Sequence, residues 1–301
     1  MQLKKSLLIT GGTGLTGRHL VTLFKNEGYI VSLLTRQQGL AGSFSWNPET
    51  GKLDTQALEE LDTIIHLAGT SIADGRWSKK HKKSILESRV NSTRLLFEAL
   101  KTGKYPVKTF ISASASGFYG NSGDLWMSEE SPPGSDFLSH TVRQWEAEVE
   151  KIAGLGIRIV ILRTGLLLAP EGGLLPVIAR PLRWGFGAVL GNGDQYMSWI
   201  HIKDLCRIYK KAAEDPTMQG VYNAVSPEPV THREFMRTLS QVYHRPIWLP
   251  DAPAWILKLF LGEKADLVLS GQRVSSKKLK DTGFNFEFSS LEAALTDLRK
   301  S

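Results

Sequence analysis

The chain is short of everything that would put it in a disulfide-held or membrane-spanning class. It has one cysteine, Cys206, so no intramolecular disulfide can form and a reducing compartment is the default. No nucleophile motif surrounds that cysteine, which reads as a buried core thiol. No uninterrupted apolar run reaches spanning length; residues 157–169 come nearest and are broken by Arg158 and Arg163. The opening Met1-Gln2-Leu3-Lys4-Lys5 meets an apolar segment too short for a secretory signal. A cytoplasmic chain with no membrane partner is therefore expected. Internal repeats and low-complexity stretches are also missing. The net charge of +7 is densest at Lys79-Lys80-His81-Lys82-Lys83, but no aromatics are interleaved there. That excludes an evident nucleic-acid module: the run reads first as a solvated helix entrance, and an anionic small-molecule substrate is the more economical use of the overall charge.

What is present begins with Thr10-Gly11-Gly12-Thr13-Gly14-Leu15-Thr16-Gly17, set between a short apolar run and an amphipathic segment. Strand, glycine turn and helix in that order build a cradle for a dinucleotide pyrophosphate. Gly11 permits the tight turn, Gly14 lets backbone approach the phosphates, and Gly17 lets the helix pack against the strand. Thr13, Leu15 and Thr16 present N–H groups at the positive end of the helix dipole.

Further strands are predicted at residues 30–34, 44–46, 63–67, 108–112 and 157–162. Helices are expected from Asp54 to Leu61, at residues 82–101, and at 136–154, where Leu138, Val142, Trp145, Val149 and Ile152 trace one face. Alternating strands and helices predict an α/β fold, a doubly wound parallel sheet of Rossmann type. We expect a dinucleotide-binding domain over residues 1–165, with a late strand near 221–225 rejoining it. Residues 166–301 form the substrate side, with a small C-terminal domain from about 248. The stretch after Thr164, crowded with glycines and with Pro176 and Pro181, reads as loop-rich.

The second strand runs out through Thr35-Arg36-Gln37-Gln38 without a carboxylate. An acidic residue there would hold ribose hydroxyls and repel a 2′-phosphate, whereas Arg36 can bind that phosphate bidentately. NADP is the expected cofactor, with NAD as the alternative.

The glycine motif, His66-Leu67-Ala68-Gly69, the run 112–120 ending Phe118-Tyr119-Gly120, and Trp199-Ile200-His201-x-x-Asp204 together resemble an extended short-chain dehydrogenase/reductase. More narrowly, Arg76-Trp77, Ser88-Arg89-Val90, Gly193-x-Gln195-x-Met197-Ser198-Trp199 and Gly271-Gln272-Arg273-Val274 resemble the atypical YfcH-like branch of NAD-dependent epimerase family proteins, with its small C-terminal domain. The resemblance covers essentially the whole chain. It implies that Leu67, Ala68 and Gly69 lie along the cofactor and that Arg163 stands near the nicotinamide. On the reading of the chain as an enzyme, Arg76, Trp77, Gln195 and Trp199 are expected to line the substrate pocket.

Standard members of that superfamily carry tyrosine and lysine four residues apart on one helix face. None of the 7 tyrosines here has a lysine four residues on, and the fitting helix positions hold Leu138 and Val142. The tyrosine–lysine mechanism is not available to this chain, in keeping with the atypical branch. Ser114 and Tyr119 remain as catalytic candidates, Tyr119 with packing as its plainer role. Glu129 and Glu146 are possible acids or bases whose default is solvation. Arg89, in the helix where many relatives have asparagine, leaves anion binding and a surface ion pair both open. The expected function is an oxidoreductase or epimerase on a small polar, nucleotide-sugar-like substrate. The alternative is a non-catalytic NADP(H)-sensing regulator or scaffold. No interface residue stands out, and a homodimer is simply the commonest arrangement for a soluble protein.

Overall fold

A computed structural model describes residues 5–37, 39 and 41–300. The opening residues 1–4 and Gln38, both used in the sequence reading, lie outside the described residues. The chain begins β1 (Ser6–Thr10), α1 (Leu15–Asn26), β2 (Ile30–Thr35), β3 (Ser43–Asn47), β4 (Lys52–Leu53), β5 (Thr63–His66), α2 (Lys79–Thr102) and β6 (Thr109–Ala115). It continues through β7 (Trp126–Met127), α3 (Phe137–Ala153), β8 (Arg158–Thr164), β9 (Leu166–Ala169), β10 (Gly172–Gly173), α4 (Leu175–Arg183), β11 (Tyr196–Met197) and β12 (Trp199–His201). Then come α5 (Ile202–Glu214), β13 (Gly220–Ala224), β14 (Val230–Thr231), α6 (His232–Tyr243), α7 (Ala254–Leu261), α8 (Asp266–Leu269), β15 (Arg273–Val274), α9 (Lys277–Asp281) and α10 (Leu291–Lys300).

Two compact units share these elements. The first holds everything described up to Ser114, with Thr141–Leu162 and Cys206–Val221. The second holds Ala115–His140, Arg163–Leu205 and everything described from Tyr222 onward. The main sheet has strand order β13-β8-β6-β5-β1-β2-β3-β4. β1 runs parallel to β2 and β5, β5 to β6, and β2 to β3, while β4 turns back, antiparallel to β3. The order reverses direction at β1, which is the Rossmann switch point where ligands sit outside the carboxyl ends of the strands.

β1 and β5 are covered on both faces, so Leu7, Leu8, Ile9, Ile64 and Ile65 form unbroken apolar runs rather than alternating ones. Under one face Leu8, Ile64, Phe110 and Ile161 pack with Leu96 and Leu100 of α2 and with Trp145, Val149 and Ile152 of α3. The apolar period read along residues 136–154 is thus the core-facing stripe of α3. Cys206 is buried as expected, and burial pushes its thiol up to about 12.

Two elements differ from the sequence reading. The helix expected to run to Leu61 is a single 3₁₀ turn, Thr55–Leu58, with the Asp54 carboxylate accepting from Gln56 N–H. The stretch read as loop contains α4, because Pro176 falls in the first turn, where a missing N–H costs nothing. Pro181 does sit inside that helix, two residues before its end.

The second unit is built from small pieces: the three-stranded β10-β9-β12 sheet and the pairs β11-β14 and β15-β7. Its longest helices are α6 and α10, which lie against each other. α6 opens on a capping box in which Thr231 and Glu234 exchange side-chain and backbone hydrogen bonds.

Candidate functional site

The first unit presents one continuous edge at the carboxyl ends of β1, β2, β5 and β6. After β1 the chain turns at Gly11, whose φ of +67° is a left-handed conformation that only glycine takes without strain. A side chain there would press on the Leu67–Ala68 peptide, 3.1 Å away. Gly14 N–H closes the turn on the Gly11 carbonyl at 3.0 Å. At Gly17 a Cβ would stand 2.3 Å from the Gly11 carbonyl oxygen, so α1 can approach β1 only with glycine at that position. α1 starts without a side-chain cap and without an acidic residue in its first turn. A pyrophosphate therefore meets open backbone, exposed at Thr13 and Gly14, at the positive end of the helix. The residues present fit a dinucleotide.

Thr10 holds the neighbouring strand end in place. Its Oγ1 accepts from Leu67 N–H at 3.1 Å and Ala68 N–H at 3.2 Å, and lies 2.8 Å from His66 Nδ1. With both backbone donors served, the threonine proton goes to Nδ1, and the imidazole carries its own proton on Nε2. That proton faces Thr93 Oγ1 at 3.1 Å, whose hydroxyl in turn donates to the Arg89 carbonyl. Burial, reinforced by the charge of Arg89, lowers the His66 pKa to about 3, so the ring is a neutral structural link.

Arg89 brings a cation to this edge. Its guanidinium sits against Gly69, where a Cβ would come within 3.0 Å of Cζ. Nη1 donates to the carbonyls of Thr70 (3.0 Å) and Ile85 (2.9 Å), and Cζ lies 5.3 Å over the Trp145 ring. Burial lowers its pKa to about 10. No carboxylate lies within ion-pair distance of it among the described residues, so the surface ion pair is not formed and the two carbonyls hold the guanidinium in place.

Ser114, at the end of β6, donates from Oγ to Glu146 Oε1 at 2.5 Å, and both residues are buried. The expectation of a solvated Glu146 is therefore overturned. Glu146 follows Trp145 on α3, four residues beyond Val142, so it shares the inward face whose apolar period the sequence displays.

Residues 7–224 match the NAD dependent epimerase/dehydratase family, and residues 252–298 match DUF1731, a domain of unknown function. The chain belongs to the NAD dependent epimerase/dehydratase family. Epimerase family protein YfhF of Bacillus subtilis (strain 168) is 39% identical over 299 residues, covering 97% of each chain. Human epimerase family protein SDR39U1 (isoform 2), whose crystal structure is with NADPH, superposes with a TM-score of 0.89 at 31% identity. That match covers 98% of this chain and 99% of the human one. A nucleoside-diphosphate sugar epimerase from Corynebacterium glutamicum gives a TM-score of 0.80 at 31% identity, over 97% of this chain and 57% of that one. Within the epimerase family this is an atypical extended short-chain dehydrogenase/reductase, since its fourth-residue lysine and partner tyrosine are missing.

Several residues read as site candidates have other work in this epimerase family chain. Thr10 is fully buried, so it shapes the cradle rather than touching a ligand. In the second unit, Trp199 is fully buried and its indole N–H donates to the Glu228 carbonyl at 3.0 Å, because both faces of the three-residue β12 are covered. It does not line a pocket. Gln195 spends its amide on the carbonyls of Leu190 and Val268, at 3.0 and 2.9 Å. Arg163 is buried: it donates to the Tyr119 hydroxyl (3.0 Å) and the Glu129 carbonyl (3.2 Å), and lies 3.4 Å over the Phe118 ring. Tyr119 donates to Asn223 Oδ1 at 2.7 Å, and burial raises its pKa against the opposing pull of Arg163. The two form a buried knot, which favours the packing role for Tyr119. Glu129 belongs to the same knot, accepting from Asn223 N–H at 2.8 Å. In the first unit, Trp77 donates to the Ile72 carbonyl at 3.0 Å, while Arg76 is exposed. Leu67 and Ala68 are half-buried and Gly69 is exposed on the strand-end edge, and Arg36 is exposed beyond β2.

Proposed function

We propose that this chain is an NADP(H)-dependent oxidoreductase or epimerase acting on a small polar substrate of nucleotide-sugar type. The observation that carries this reading is that an intact dinucleotide cradle and a buried, hydrogen-bonded Ser114–Glu146 pair share one sheet edge. The human relative's NADPH supports the phosphorylated cofactor. So does an edge bearing Arg36 and Arg89 with no carboxylate at the end of β2. When bound, the dinucleotide supplies or accepts hydride.

The protein's own part is the proton. Ser114 points its hydroxyl hydrogen at Glu146, which leaves an Oγ lone pair for a substrate hydroxyl. A proton drawn from that hydroxyl passes through the serine oxygen to the carboxylate, in place of the absent tyrosine–lysine pair. Buried neighbours hold the pair in position without solvent competition.

Hydride exchange between deuterated NADPH and a panel of nucleoside-diphosphate sugars tests the reading. Label transfer is expected, with Glu146→Gln retaining NADPH binding and losing about 10²–10⁴-fold in turnover. The missing tyrosine–lysine pair favours a second reading, a non-catalytic NADP(H) sensor. Tight NADPH binding with no exchange to any sugar would select it.

A further inference from the structure

The second unit exposes an unusual set of large apolar side chains. Trp184 and Phe186 follow α4, Trp248 precedes α7, and Trp255, Leu259 and Phe260 lie on it; each is 67% exposed or more. The two segments are stitched together by backbone. Ala252 N–H donates to Val189 O at 2.7 Å, Gly191 N–H donates to Ala252 O at 2.9 Å, and Leu190 bridges Ala252. Scattered single apolar residues on a surface need no account, but aromatics concentrated in two joined segments exceed that background.

The charge around them narrows the occupant. Arg180 and Arg183 lie on α4, Arg245 precedes Trp248, and Lys258 is on α7 between Trp255 and Leu259. Arg180, Arg245 and Lys258 have no carboxylate partner among the described residues, and Arg183 lies 5.0 Å over the Tyr243 ring. Of the acids nearest in sequence, Asp251 is taken by Arg233 at 2.7 Å, and Glu263 and Asp266 lie past the end of α7 with Lys264 between them. A second copy of this chain would bring the same cations face to face across a twofold axis. A surface that is apolar within and anionic at its rim satisfies both features, and tryptophan flanked by lysine and arginine is the composition of a membrane-interface anchor. No helix among the described residues is long and apolar enough to cross a membrane, and α7 has 8 residues, so the contact is peripheral.

We propose that the face formed by the end of α4 and by α7 docks this protein onto an anionic lipid surface. This revises the expectation of no membrane partner and is independent of the reaction proposed above.

The test uses the full chain with vesicles of phosphatidylcholine alone and of phosphatidylcholine mixed with phosphatidylglycerol, read by co-sedimentation. Binding is expected to the mixed vesicles only, weakening as salt rises. Trp255→Ser and Phe260→Ser should each lower the partition constant about tenfold, and Lys258→Glu should do the same without removing apolar surface. Circular dichroism identifies any variant that fails to fold, in which case Lys258→Glu carries the reading. Three results would overturn the proposal. They are no sedimentation with either vesicle, equal sedimentation with both, or a dimer in light scattering that Trp255→Ser converts to monomer.

Discussion

At the scale of the residue, Arg36 has the plainest consequence. Its nearest partner is Glu49 at 3.9 Å with both side chains largely exposed, a pairing worth little and easily exchanged for a ligand. A 2′-phosphate offers it charge-assisted, bidentate hydrogen bonds that a bare ribose does not. Arg36→Ala should therefore weaken NADPH by roughly 10–100-fold and leave NADH nearly unchanged, as fluorescence titration of both would show. Equal losses for the two dinucleotides would mean that Arg36 acts on the fold rather than on the phosphate. What the sequence shows at this position is a local feature, a strand end lacking a carboxylate. Glu146 was not, since a glutamate carries the same letter whether solvated or buried; only its place between Val142 and Val149 on the apolar face marks it. Trp199 misled for a related reason. A three-residue strand buried on both faces has no alternation from which side-chain direction can be read.

At the scale of the element, legibility followed how local the determining physics is. β1, the glycine turn and α1 are specified within a dozen residues by apolar run, turn chemistry and period, and they stand where expected. α4 was hidden because proline reads as a breaker, although in a first turn it is neutral. The 3₁₀ turn at Thr55–Leu58 has the right cap at Asp54 but stops a turn early, a boundary the cap alone does not fix. α6 shows how strong a fully local signal is. Thr231 accepts from Glu234 N–H at 3.2 Å while the Glu234 carboxylate accepts from Thr231 N–H at 2.7 Å, so both orphan donors are served. Thr231→Ala should cost about 1 kcal/mol and lower the thermal midpoint by roughly 2–4 °C. Thr231→Ser should restore most of it, and calorimetry of the three proteins reads both shifts. An unchanged midpoint in the alanine variant would mean that α6 is held by packing on α10 alone.

At the scale of the whole molecule, both units bury neutral histidines, and acid acts on them together. Burial is the leading cause in each case: His66 in the first unit falls to about 3, and His201 and His232 in the second to about 4, from an ordinary 6.5. His201 also feels Asp297 at 3.3 Å, which opposes the fall, and Lys203, which adds to it. Its ring stacks on Phe288 at 3.8 Å, so charging it would place a cation between an aromatic face and a packed core. Above pH 6.5 the folded and unfolded chains are alike, with all three rings neutral, and their contribution to stability is complete. As pH falls below 6.5, the unfolded chain takes up protons that the folded chain refuses, so stability declines until the folded rings titrate near 4 and 3. Each ring contributes at most about 1.4 kcal/mol per pH unit across that window. The urea midpoint should therefore drop steeply between neutral pH and about pH 4.5. His232→Gln removes one of the three rings and should flatten the slope by roughly a third, while shifting the midpoint at neutral pH by a smaller amount. A midpoint that stayed level over that range would mean that these imidazoles are protonated in the folded chain, with water or counter-charge reaching all three.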